Sequence, residues 1–182
     1  MGPRMTTDEV AGLIRSIPDF PKPGILFRDV TTLVGHGDGF ATSVDWLAKG
    51  ASERGAQVIV GIEARGFIFG AAAAAQLRLP FVPVRKPGKL PVPVISTDYE
   101  LEYGTDRLEL DPDAIRAGQC VVIVDDLLAT GGTAGAAVRL VRMAGGVVEH
   151  ALFVIDLPDL GGARCLEADG IASEALVSFP GH

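Results

Sequence analysis

The sequence predicts an α/β fold in one domain, with a mostly parallel central sheet flanked by helices. Three observations carry that expectation. Short apolar runs alternate with segments of helical periodicity along the chain. Some of those runs, such as Val58-Ile59-Val60-Gly61-Ile62, are apolar at every position, as in strands covered on both faces. Charged and glycine-rich segments follow the ends of these runs, where ligands bind in parallel sheets. A length of 182 residues suits one domain with a substantial core.

Taken in order, Thr7, Asp8 and Glu9 predict the start of a helix running to about Ile17, since the hydroxyl can cap it and the acids suit its positive end. Pro18 to Gly24 holds three prolines and a glycine and cannot lie inside a helix or a central strand. Asp38 to about Glu53 reads as a second helix, with Phe40, Val44, Leu47 and Ala51 on one stripe. Val58–Ile62 is a buried strand, Gly66–Leu77 an alanine-rich helix and Phe81–Val84 a strand. Residues 85–98, rich in proline and glycine and carrying Arg85, Lys86 and Lys89, read as a loop long enough to imply function. Tyr99–Leu101 and Arg107–Leu110 are expected to pair around a turn at Gly104. Val121–Val124 is the next strand, Thr133–Ala144 the next helix, Val147–Ile155 a strand and Ala172–Val177 an edge strand. Right-handed crossovers then connect the strands of the sheet.

Composition excludes several classes. Hydrophobic residues make up 48% and charged residues 21%, too apolar for a disordered chain. The longest apolar stretches are too short or interrupted to span a bilayer. The N-terminus shows no apolar core with a cleavage site, and Cys120 and Cys165 lack metal-ligand spacing, so a cytoplasmic setting is expected. A net charge of -7 without a basic run argues against a nucleic-acid partner. An anionic substrate would need a local basic patch, which Arg85, Lys86 and Lys89 alone form in the sequence. His36, His150 and His182 share no ligand spacing.

The sharpest signal is Val121-Val122-Ile123-Val124-Asp125-Asp126-Leu127-Leu128-Ala129-Thr130-Gly131-Gly132-Thr133. An apolar strand emerges into two carboxylates, then a loop of small residues opens a helix, so that backbone N–H groups can converge on a phosphate. It is neither a Walker A loop nor a dinucleotide fingerprint, since the Gly-Lys-Ser/Thr and GxGxxG elements are missing. Two acids beside an anion loop make sense if the ligand also presents hydroxyls or a bound cation, as a ribose 5-phosphate does.

This segment resembles the signature with which the type I phosphoribosyltransferases bind phosphoribosyl pyrophosphate (PRPP). The resemblance implies that fold, with a small N-terminal hood within about residues 6–35, a core over 36–182 and a flexible lid over 85–104. It places Asp125 and Asp126 on the ribose hydroxyls, and Ala129, Thr130, Gly131, Gly132 and Thr133 around the 5-phosphate. Glu63-Ala64-Arg65-Gly66 is similar to the family's pyrophosphate loop, where a cis peptide would fall between Glu63 and Ala64. Arg65, Arg85, Lys86 and Lys89 are then the cations for the leaving group, one loop cation acting across the interface of a homodimer. Magnesium, held mainly through PRPP rather than by protein ligands, is the implied cofactor.

Three further segments resemble the adenine-specific branch: Ile17–Asp29, Gly61–Phe67, and Arg85–Pro91 with Tyr99–Gly104. There Leu26, Phe27 and Arg28 wrap the base, Phe27 stacking on it. Glu102 exchanges a proton with the imidazole-side nitrogen of adenine, with Tyr103 beside it and Arg65 completing the catalytic set. A 6-oxopurine enzyme commonly carries a lysine after the strand that follows the PRPP loop, and Phe153–Asp159 contains none. The other alternative, a PRPP-sensing regulator, would need a DNA-binding element that the segment before the first strand does not show. The chain departs from the family pattern at Leu90-Pro91-Val92-Pro93, where valine stands in place of glycine and a stiffer lid tip is expected.

Overall fold

The computed structural model describes residues 5–100 and 104–181. Thr6 rather than Thr7 caps the first helix: its hydroxyl accepts from the Glu9 N–H, and the Glu9 carboxylate accepts from the Thr6 N–H at 2.7 Å. The helix so started, α1 (Thr7–Gly12), ends well before the expected Ile17. Arg15 to Pro18 instead form β1 (Arg15–Pro18), antiparallel to β2 (Leu26–Asp29). Pro18 pushes Ile17 toward extended backbone, and the proline-rich turn brings the chain back for pairing.

The remaining elements are α2 (Thr31–Val34), α3 (Gly37–Glu53), β3 (Val58–Ile62), α4 (Arg65–Leu77), β4 (Phe81–Val84), β5 (Ile95–Glu100), β6 (Thr105–Leu110), β7 (Cys120–Leu128), α5 (Gly132–Met143), β8 (Val147–Asp156), α6 (Gly162–Ala168) and β9 (Ala172–Ser178). The sheet runs β4-β3-β7-β8-β9 with every pair parallel, the predicted architecture. Its two faces explain the uniformly apolar runs. Val58, Val60, Val121 and Ile123 pack with Leu108 of β6 and Leu140 of α5. Ile59, Val122 and Val124 pack on the other side with Leu47 of α3, Phe69 of α4 and Val10 of α1.

Two further expectations need correction. The segment 85–98 is not loop throughout, because β5 begins at Ile95 and pairs with β6 over six positions, from Ile95 opposite Leu110 to Glu100 opposite Thr105. Ser96, Asp98 and Glu100 face solvent, so the strand reads as polar although Thr97 and Tyr99 turn inward. The base of the remaining loop is tied down by reciprocal backbone bonds between Arg85 and Glu109 at 2.8 and 2.9 Å. The second correction concerns β7, which does not stop at Val124. It continues to Leu128 because β8 pairs alongside, with Asp125 opposite Phe153 and Leu127 opposite Ile155.

One buried carboxylate fixes the β1–β2 ribbon. Asp29 accepts from the Arg15 guanidinium, and from the Thr31 N–H at 2.9 Å and hydroxyl at 2.7 Å. The two Thr31 bonds, then Arg15, lower its pKa from 3.8 to about 2. A depressed folded pKa gives stability that is complete above the unfolded value and is lost as pH falls through the folded one. Asp29→Asn is therefore expected to cost about 1–2 kcal/mol at pH 7. In urea unfolding the gap to the parent protein should shrink between pH 4 and pH 2; a gap independent of pH would contradict this account.

Candidate active site

A cleft of about 430 Å³ opens beyond the carboxyl ends of β3 and β7. One wall is the turn from β7 into α5. Gly131 there has φ +89, and an added Cβ would lie 3.0 Å from both the Cys165 Cβ and the Gly162 carbonyl, so glycine is required twice over. The first helical bond of α5 runs from the Gly135 N–H to the Gly131 carbonyl, which leaves the N–H groups of Gly132, Thr133 and Ala134 without intrahelical acceptors. These residues line the cleft, as do Ala129 and Thr130, giving an anion-binding helix start.

Asp125 and Asp126 form the floor, both buried. The Asp125 Oδ1 accepts from the Asp126 N–H at 2.9 Å. Burial, then the neighbouring Asp126 charge, pushes the Asp125 carboxyl well above the usual carboxylate range. Asp126 is instead paired with the Arg65 guanidinium. The α4 start can approach only because residue 66 is glycine: a Cβ there would sit 2.5 Å from the Asp125 Oδ1 and 3.2 Å from the Val124 carbonyl.

The opposite wall comes from the β3–α4 turn, where the Glu63–Ala64 peptide is cis. Glu63, Ala64 and Arg65 all line the cleft. The Glu63 carboxylate, however, faces Arg85 at 3.2 Å and accepts from the Lys86 N–H at 2.9 Å. Burial alone would raise the Glu63 carboxyl, yet these two donors hold it below its usual value. Arg85 is thereby turned toward Glu63 and the Lys89 carbonyl, and neither Arg85 nor Lys89 reaches the cleft lining. Lys86 does, with its ammonium donating to the Tyr99 hydroxyl at 2.8 Å and to the Asp106 carboxylate.

The predicted base residues stand apart. Leu26, Phe27 and Arg28 lie on β2 and do not line this cleft. Phe27 meets Phe20 edge to face at 5.2 Å, and the Arg65 guanidinium lies 5.5 Å from its ring centroid, so Arg65 links this ribbon to the acid pair. Arg28 points elsewhere, over the Phe179 ring and to the Ser16 hydroxyl. Glu102 and Tyr103 lie outside the described residues. Val92 is exposed and is not among the positive-φ residues, as its proline neighbour requires.

Tyr99 and Asp106 also line the cleft, and no role for either follows from the sequence pattern. Their signal was the hairpin register. Pairing Tyr99–Leu101 with Arg107–Leu110 leaves Asp106 in the turn, whereas the observed register sets Tyr99 directly opposite Asp106.

Residues 38–160 match the family model for the phosphoribosyl transferase domain. The chain is 65% identical over 178 residues to the adenine phosphoribosyltransferase of Novosphingobium aromaticivorans, covering 98% of this chain and all of the relative. It is 57% identical over 169 residues to that of Escherichia coli O157:H7, covering 93% and 92%. Among solved structures, the adenine phosphoribosyltransferase of Thermoanaerobacter pseudethanolicus superposes with a TM-score of 0.91 at 49% identity, covering 96% of this chain and 100% of that one. The Saccharomyces cerevisiae enzyme, complexed with an imino-altritol bisphosphate and adenine, gives 0.87 at 38% identity, covering 94% and 98%.

Gly66→Ala tests the close approach at the floor. The methyl group should force α4 and β7 apart, costing about 1–3 kcal/mol of stability in thermal or urea unfolding. Affinity for ribose 5-phosphate in calorimetric titration should fall with it, and unchanged stability and binding would show that the acid pair tolerates displacement.

Proposed function

We infer, since the chain belongs to the adenine phosphoribosyltransferase family, that it transfers the 5-phosphoribosyl group from PRPP to adenine, giving AMP and pyrophosphate. The observation that carries the reading into this structure is the convergence, in one cleft, of a helix-start anion loop, a buried acid pair and a cation-bearing turn. A molecule with a 5-phosphate, vicinal hydroxyls and a diphosphate on its anomeric carbon matches those three features in that order.

The roles follow from the chemistry. The N–H groups of residues 130–134 and the Thr130 and Thr133 hydroxyls bind the 5-phosphate. Asp125 and Asp126 accept hydrogen bonds from the ribose hydroxyls, and Arg65 moves from Asp126 toward the incoming diphosphate. The bond from the anomeric carbon to the diphosphate oxygen breaks as a purine nitrogen attacks that carbon, so positive charge grows on the sugar while negative charge grows on the leaving group. Arg65 and Lys86 stabilise the latter, and Glu102 takes or returns the proton of the imidazole-side nitrogen. Phe27 stacks on the base, with backbone groups of Leu26 and Arg28 at its edge. The part of the expected lid that is not tied into the β5–β6 ribbon, residues 86–94, excludes water by closing over the substrates.

Magnesium belongs to this proposal as a companion of PRPP. The diphosphate and ribose oxygens are the hard ligands it prefers, and Asp125 and Asp126 stand beside the ribose position with oxygens of the same kind. When bound it would neutralise charge on the departing diphosphate. A homodimer is supported by an exposed apolar stripe of Ile68, Ala71 and Ala75 at helical spacing on α4. A cytoplasmic setting is supported by Cys120 and Cys165 standing as free thiols.

The test is to supply PRPP and magnesium with adenine, hypoxanthine, guanine or xanthine in turn and to measure nucleotide and pyrophosphate. Adenine alone should give product at a useful rate. Product from a 6-oxopurine instead would move the specificity to another branch, and none from any base would favour a PRPP sensor. Glu102→Gln should lower kcat with adenine by about 100-fold while PRPP affinity changes little; an unchanged kcat would remove Glu102 from the proton transfer.

A further inference from the structure

The β5–β6 ribbon carries a three-residue cluster at the cleft wall for which the transfer reaction, as laid out above, has no use beyond Lys86 itself. Tyr99 and Asp106 are directly opposite in the antiparallel register, so their side chains share one face of the ribbon. Tyr99 is 5% exposed and belongs to the core that packs on α5, which fixes its ring and leaves the hydroxyl at the cleft. That hydroxyl accepts from the Lys86 ammonium at 2.8 Å and donates to the Asp106 Oδ2 at 3.1 Å. Asp106 is anchored from behind, since its Oδ1 accepts from the Arg107 N–H at 2.7 Å. The Oδ2 receives the Lys86 ammonium as well.

We propose that Asp106 and Tyr99 are positioning residues, which hold Lys86 aimed across the cleft and hand it to the diphosphate of PRPP when that substrate binds. Three features favour a handover over a permanent ion pair. A lysine chain left free would lose rotamer entropy on binding its target, and a fixed acceptor removes part of that loss beforehand. The pair is partly open to solvent, with side-chain exposures of 37% for Lys86 and 30% for Asp106, so exchange needs no buried charge to be stranded. When Lys86 leaves, Asp106 keeps the Tyr99 hydroxyl and the Arg107 N–H, and therefore stays satisfied. Burial alone would lower the Lys86 pKa, but the bonds to Asp106 and Tyr99 hold it above its usual value while the pair is intact.

This inference rests on the assignment of Lys86 to the diphosphate. The experiment is a double-mutant cycle of Lys86→Ala, Asp106→Asn and their combination. PRPP affinity is read by calorimetry, and kcat and KM by steady-state kinetics with adenine. Asp106→Asn alone should raise the Kd and KM for PRPP about tenfold with kcat changed less than about threefold. Added to Lys86→Ala it should have almost no further effect, because a residue acting through Lys86 has nothing left to act on. Asp106→Glu should restore part of the loss, and Tyr99→Phe should reproduce a smaller version of it. Multiplicative losses in the double variant, or tighter PRPP binding in Asp106→Asn, would overturn the positioning role while leaving the transfer reaction intact. A parent protein that binds no PRPP would overturn the function itself and this inference with it. A fall in melting temperature common to both Asp106 variants, with no change in PRPP affinity, would mark the cluster as purely structural.

Discussion

Two adjacent carboxylates buried at the end of the central strand set the terms for everything around them. A buried charge is costly unless it is paired, hydrogen-bonded or neutralised. The two acids meet that requirement differently. Asp126 takes Arg65, the first residue of α4, and Asp125 takes the Asp126 N–H and a raised pKa. The start of α4 must come against β7 to deliver that arginine, and the absence of a side chain at Gly66 is what lets it. Since α4 also packs Phe69 into the core, the placement of one ion pair is coupled to the packing of a whole face of the sheet.

The cations of the site follow the same pattern. In a chain of net charge -7, Arg65 is held by Asp126, Arg85 by Glu63 and Lys86 by Asp106. Each acid fixes the direction of its cation and moderates its field. A doubly or triply charged ligand attracts a cation more strongly than a single carboxylate does, so on the handover proposed for Lys86 the positive charge stays paired until such an anion binds. This also separates the cations by use. Arg65 and Lys86 face the cleft, whereas Arg85 braces the turn behind it by bonding Glu63 and the Lys89 carbonyl.

Much of this was readable along the chain because it depends on local pattern. The uniformly apolar run Val58–Ile62 implied a strand covered on both faces, and it packs on both. The order of small and hydroxyl residues from Ala129 to Thr133 implied an anion loop, because the backbone conformation it needs is written into Gly131. Helix ends were less readable. Ile17 fits a helical stripe, yet pairing with Phe27 across a proline-rich turn claims it for a ribbon. Polar residues on the outer face of β5 hid a strand in what read as loop.

The sequence by itself determined the fold class, the anion loop, the family and the identity of the charged groups, since each is set by residue type at short spacing. Only the tertiary structure decided which charge meets which. Arg65 and Asp126 are 61 positions apart, and Lys86 and Asp106 are 20 apart. Their pairing depends on the parallel contact of β3 with β7 and on the register of β5 with β6, which no local pattern encodes. A shift of one residue in that ribbon would turn Tyr99 and Asp106 away from each other and leave Lys86 without its support.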